Sequence, residues 1–79
     1  MARPNGAQRR TPNRRLQELR INAGLSPNAL AFRAGVSGKT VRLAEAGWVP
    51  TPRVQFQIAG VFDLLPLDLW ALDRQKVAA

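Results

Sequence analysis

The chain has no cysteine and no histidine among its 79 residues. Without cysteine there is no disulfide, no thiolate zinc site and no sulfur nucleophile. Without histidine, imidazole metal ligation is excluded, as is the commonest general base. Acids are scarce. Glu18, Glu45, Asp63, Asp68 and Asp73 are scattered along the chain, with no close pair suited to acid–base work. The expectation is a protein that is not an enzyme, with no catalytic residues, no metal, no cofactor and no small-molecule substrate. No apolar run reaches membrane-spanning length. The N-terminus is basic but lacks the apolar core of a signal peptide, so a cytoplasmic protein with no membrane partner is expected.

What the chain does have is positive charge. Twelve bases stand against five acids, for a formal net charge of +7, and ten of the bases are Arg. A compact basic domain suggests a polyanionic partner, and Arg suits phosphate and guanine better than Lys does. Solubility, or the Arg bias of a GC-rich genome, would give the same balance. The length allows one domain, of which about 60 residues look foldable.

The stretch 25–47 organises the chain and reads as two short helices joined by a tight turn. Ser26 can cap the first, with Pro27 at the first helical position, where its missing N–H costs nothing. Leu30, Ala31 and Ala34 share an inner face. Gly35 supplies the positive φ that closes a helix. Val36 follows as an apolar plug, and Ser37 caps the second helix, about 38–46. Val41 and Ala44 point inward from it, which leaves Gly38, Lys39, Arg42 and Leu43 on another face. This is the layout of a helix-turn-helix, whose second helix enters the DNA major groove.

The same stretch resembles the Cro/repressor-type (XRE-like) helix-turn-helix family. That family's run is similar to L-[ST]-Q-x-x-L-A-x-x-A-G-V-S-x-x-x-[VI]-x-x-[IWL]-E-x-G. Leu25, Ser26, Leu30, Ala31, Ala34, Gly35, Val36, Ser37, Val41, Glu45 and Gly47 match it. Pro27 departs, where the family usually has a Gln that helps hold the DNA backbone. Ala44 departs, where a larger apolar residue is usual, which implies a looser core or one filled from elsewhere. The resemblance covers about 16–72 and implies a compact, all-α, five-helix lambda-repressor-like domain. It also implies that Arg20, five before the Leu-Ser pair, forms an ion pair with Glu45.

The remaining chain fits around this centre. Residues 1–13 have little to bury and read as a disordered basic arm carrying Arg3, Arg9 and Arg10, with Arg14 and Arg15 following. Such an arm reaches along phosphates or into a minor groove, or is a solvated tail. The first helix is expected from 12 or 13 to 23, capped by Thr11, with Leu16, Leu19 and Ala23 inward and Gly24 ending it. Phe32 is expected to pack under the first or fourth helix, and Trp48 to plug the core or else cover its phosphate-side edge. A fourth helix should open at Pro52 with Thr51 as cap, and Val54, Ile58, Val61 and Phe62 form its core face. Pro66 opens a last helix, 66–72, with Leu69 inward. The folded domain is expected to span 14–73, with 74–79 a tail.

These readings converge on a sequence-specific double-stranded DNA-binding transcription regulator. Gly38, Lys39, Arg42 and Leu43 are the expected base readers. Lys39 and Arg42 can donate to guanine, while Leu43 meets a thymine methyl or packs on a neighbour. Ser26, Asn28, Arg33, Ser37, Thr40 and Arg53 are the expected backbone contacts. Leu65, Leu67 and Trp70 are more apolar than a small monomer's surface needs. The resemblance places a dimer seam near the start of the last helix, so a homodimer on DNA is expected. The size points to a small stand-alone protein of the kind that phages and mobile elements carry. Alternatives are a protein-binding module, an antitoxin-like neutralising protein, or an excisionase-like recombination accessory.

Overall fold

The structure is a computed structural model that describes residues 11–70. Those residues form five α-helices and no strand: α1 (Arg14–Asn22), α2 (Pro27–Ala34), α3 (Gly38–Glu45), α4 (Pro52–Val61) and α5 (Pro66–Leu69). The all-helical architecture agrees with the sequence expectation. Residues 1–10 of the expected arm (1–13), 71–73 of the expected domain and the expected tail (74–79) lie outside the described residues.

Each start and stop has a local cause. Ser26 and Ser37 cap α2 and α3 as expected, their side chains accepting from the N–H of Ala29 and Thr40. α1 begins later than expected. Its cap is Asn13, not Thr11, and the Asn13 side chain accepts from Leu16 N–H at 3.1 Å. Asn is the stronger capping residue, because its carbonyl reaches the orphan N–H groups of the first turn. Thr51 sits in extended conformation before α4, but its side chain makes no capping bond.

The four longer helices close in one way. The N–H of Leu25, Val36, Trp48 and Leu64 returns to the carbonyl of Arg20, Ala31, Leu43 and Ala59 respectively, at 3.0–3.1 Å. This six-to-one closure needs a left-handed residue just before it. Gly24, Gly35 and Gly47 supply positive φ at three of the four, and Asp63 (φ 58) at the last. Asp is among the few side chains that tolerate this region.

One large side chain from each longer helix meets at the centre. Leu16, Leu30, Val41 and Ile58 are fully buried. Each contributes about 1.5–3 kcal/mol from burial. Ala31, Ala34, Ala44 and Ala59 are buried between them and let the helices approach closely. α2 packs on α3 and α4, and α5 packs on α4. Of the expected inward residues, Leu19, Val54, Val61 and Phe62 are half-buried, and Ala23 is exposed. Ala44 borders a cleft of about 260 Å³, also lined by Val49, Leu69 and Trp70. The departure at Ala44 implies a looser core or one filled from elsewhere; Ala44 itself is buried.

Three aromatic expectations are corrected. Trp70 is not at the surface: it is 6% exposed and belongs to the core. The last helix ends at Leu69 rather than 72. Trp70 leaves helical geometry (φ −126, ψ 48), with its backbone N–H still bonded to Pro66 O, and the indole turns inward. Phe32 is 87% exposed instead of packed, because Leu30, Ala31 and Ala34 fill the buried face of α2. Trp48 is 45% exposed and is not a core plug.

The expected Arg20–Glu45 pair is present. Arg20 Nε donates to Glu45 Oε2 at 2.5 Å and Nη2 to Oε1 at 3.2 Å, a two-pronged contact. Nη1 donates to Leu25 O at 2.8 Å. The side chains are only 15% and 8% exposed. Asn13 adds a second tie: its backbone N–H donates to Glu45 O at 2.9 Å, and its Nδ2 to Leu69 O at 3.1 Å. Glu45→Ala strands a half-buried guanidinium, and should lower unfolding free energy by about 3–5 kcal/mol. A double-mutant cycle with Arg20→Ala should return strong coupling. Coupling near zero would mean that the two charges act separately.

Candidate nucleic-acid interface

The polar side chains singled out in the sequence collect where α2 begins and α3 follows. Only Gly35, Val36 and Ser37 separate these helices, so their N-terminal turns are held in fixed relation. Ser26 and Asn28 stand exposed at the start of α2. Ser37, Gly38, Lys39 and Thr40 form the cap and first turn of α3. Lys39 and Arg42 are exposed, and Leu43 is 41% exposed. Arg42 reaches across to α2: its Nη2 donates to Asn28 Oδ1 at 3.1 Å.

The hydroxyls here are partly used. Ser26 Oγ accepts from Ala29 N–H at 3.0 Å, which spends a lone pair and leaves its proton available. Ser37 Oγ accepts from Thr40 N–H at 3.1 Å and lies 2.9 Å from Thr40 Oγ1. Two hydroxyls carry two protons, and their mutual bond uses one. The other can serve an outside acceptor such as a phosphate oxygen.

Charge is one-sided. Among the described residues Arg20–Glu45 is the one ion pair. Arg14, Arg15, Arg33, Lys39, Arg42 and Arg53 therefore have no carboxylate partner there. Their places within the helices matter as much as their number. A helix N-terminus carries partial positive charge and favours acids. Yet the first turns of α1, α3 and α4 hold no acid. They hold Arg14 and Arg15, Lys39, and Arg53 instead. This arrangement opposes helix stability and suits an external anion.

Not every expected contact joins the cluster. Arg33 sits in the last turn of α2, at the opposite end from Ser26 and Asn28. A cation at a helix C-terminus is favourable by itself, so its position needs no ligand. Arg3, Arg9 and Arg10 lie outside the described residues. Leu65 and Leu67 are 62% and 49% exposed and remain on the surface without Trp70.

Two features escaped sequence reasoning. The Arg42–Asn28 bond spans fourteen positions between helices, and no local pattern signals it. Ile21 and Phe56 are also 60% and 63% exposed, large apolar groups that periodicity did not mark as surface.

Among the described residues no group of His, Cys, Asp or Glu is arranged to hold a metal ion. None of their helices is long and apolar enough to cross a membrane. No protein-family model, curated protein or solved structure matches the chain.

The charge placement makes a stability prediction. Arg15→Glu or Arg53→Glu should each raise unfolding free energy by about 0.3–1 kcal/mol at low ionic strength, with the gain shrinking in salt. Thermal melts at two salt concentrations check this. Destabilisation by both substitutions would show that these arginines serve the fold.

Proposed function

We propose that this chain is a sequence-specific double-stranded DNA-binding transcription regulator of the small phage Cro/repressor type. In this reading α2 and α3 are the two helices of a lambda-repressor-like helix-turn-helix, and α3 lies in the major groove. The observation that carries it is the exposed surface shared by the start of α2 and the outer face of α3. It joins Ser26, Asn28, Ser37, Gly38, Lys39, Thr40 and Arg42, with no carboxylate paired to its cations.

The roles follow from chemistry. Lys39 and Arg42 donate to guanine O6 and N7, Arg42 with a pair of N–H groups. Leu43, exposed beside them, offers an apolar contact to a thymine methyl. Ser26, Thr40 and Arg53 hold phosphates and set register without reading sequence. The basic arm, with Arg3, Arg9 and Arg10, adds affinity and salt dependence. A two-fold dimer joined through Leu65 and Leu67 would bind half-sites about one DNA turn apart. The protein uses no cofactor and performs no catalysis.

A second reading draws on a separate observation. Phe32 and Phe56 are among the most exposed large apolar residues, which suits a module that grips a partner protein, as an antitoxin does. A gel shift against random duplex, titrated with salt, separates the two. A steep loss of binding with salt supports DNA as the partner, and no binding at low salt rejects it.

Two arginines distinguish reading from clamping. On the best site, selected from a random duplex pool, Arg42→Ala should cost roughly 1–3 kcal/mol and relax preference at one base-pair position. Arg53→Ala should weaken all duplexes about equally and reduce the salt slope by about 0.9. If Arg42→Ala lowers every sequence by the same factor, Arg42 is only a phosphate clamp.

A further inference from the structure

We infer that Asn28 is a positioning residue for Arg42, and that the missing side chain at Gly38 is what allows it to act. The inference rests on the DNA-reading role proposed above for α3.

Gly38 is the first residue of α3, and Arg42 is four residues on. Residues four apart stand one above the other on a helix, with side chains leaning toward the N-terminus. The Arg42 guanidinium accordingly lies back over Gly38: a Cβ built at Gly38 would be 3.3 Å from Arg42 Nη1. The same Cβ would lie only 2.1 Å from Asn28 Oδ1 and 3.3 Å from its Cγ. Any side chain at position 38 would thus occupy the space of the Asn28 carboxamide. Asn28 would have to swing away and give up its 3.1 Å bond to Arg42.

Backbone conformation gives no other reason for glycine here. Gly38 is helical and is not among the residues with positive φ, unlike Gly24, Gly35 and Gly47. Glycine is a poor helix former, and at Gly38, unlike helical Gly60 where a Cβ would meet nothing, another group occupies the space a side chain would fill. That group is the Asn28 carboxamide.

The chemistry suits a reader that is set before it binds. A guanidinium has five N–H donors, and Asn28 Oδ1 takes one. Enough remain for the O6 and N7 edge of guanine. A side chain already held in place loses less freedom on binding than a free Arg does. Asn28 therefore differs from a phosphate clamp. A clamp acts alike on every duplex. A positioning residue acts on preference at the one base pair that Arg42 reads.

The test measures binding of the full chain to its best selected duplex and to the three alternatives at the position relaxed by Arg42→Ala. Asn28→Ala should reduce preference there by about fivefold or more, with an unchanged thermal melt. Gly38→Ala should produce the same loss of preference. Asn28→Asp keeps the acceptor, so it should retain preference while weakening all four duplexes through repulsion of phosphate. Preference in the Asn28→Ala/Arg42→Ala double variant should match that of Arg42→Ala alone. Uniform weakening by Asn28→Ala with preference intact would overturn the inference, as would equal loss of preference in Asn28→Asp. Either result leaves DNA reading by α3 standing. Failure of the unaltered chain to bind any duplex at low salt overturns that reading and this inference together.

Discussion

The fold depends on the tie between Arg20 and Glu45. α1 and α3 contribute one charge each, both mostly withdrawn from water, and neither could stay there alone. The carboxylate fixes two guanidinium nitrogens, and the third is held by Leu25 O at the entrance to α2. One side chain thereby connects α1, the end of α3 and the chain leading into α2. Asn13 binds the backbone carbonyl of the same Glu45 and reaches Leu69 with its amide. Glu45 thus ties the end of α3 to both ends of α1, through Arg20 in its last turn and Asn13 at its cap. In a domain this small, with four fully buried large side chains, such polar ties replace part of what a larger core would supply.

With its inner end fixed, α3 presents an outer face that stability alone does not explain. Glycine stands at the first helical position, and a lysine follows in the first turn. Both choices weaken an isolated helix. The first turns of α1 and α4 carry arginines under the same handicap. In the proposed reading an anionic partner would supply the charge that these local departures lack. The cap pairs Ser26–Ala29 and Ser37–Thr40 satisfy the first turns of α2 and α3, the two turns that would meet bases and phosphates in the proposed reading.

Much of this was legible in the sequence where the signal was local. The Ser-Pro start of α2, the Gly35 closure and the Ser37 cap are all short-range chemistry, and each lies where the residues placed it. The inward positions Leu30, Ala31, Ala34, Val41 and Ala44 followed from helical periodicity. The Arg20–Glu45 pair came from the family resemblance rather than from any spacing rule. What was not legible depends on tertiary neighbours. Trp70 reads as a surface residue because nothing local shows that α5 ends at Leu69 and turns the indole inward. Phe32 lies off the Leu30/Ala34 face, and its hydrophobicity alone predicts packing under a neighbouring helix, which the tertiary arrangement does not provide. Thr11 and Asn13 both satisfy the capping rule, so the sequence alone does not choose between them. Among site residues, the exposure of Lys39 and Arg42 was readable, whereas the Asn28–Arg42 bond needs the two helices in place.

The central claim, that α3 and the start of α2 form the surface that meets duplex DNA, is most directly tested by amide chemical-shift mapping. An isotope-labelled chain would be titrated with its selected duplex at low salt. The largest changes should fall on Ser26, Asn28 and residues 37–43, with the indole N–H of buried Trp70 nearly unmoved. Changes centred on Phe32 and Phe56, with α3 silent, would contradict the account and identify a different binding face.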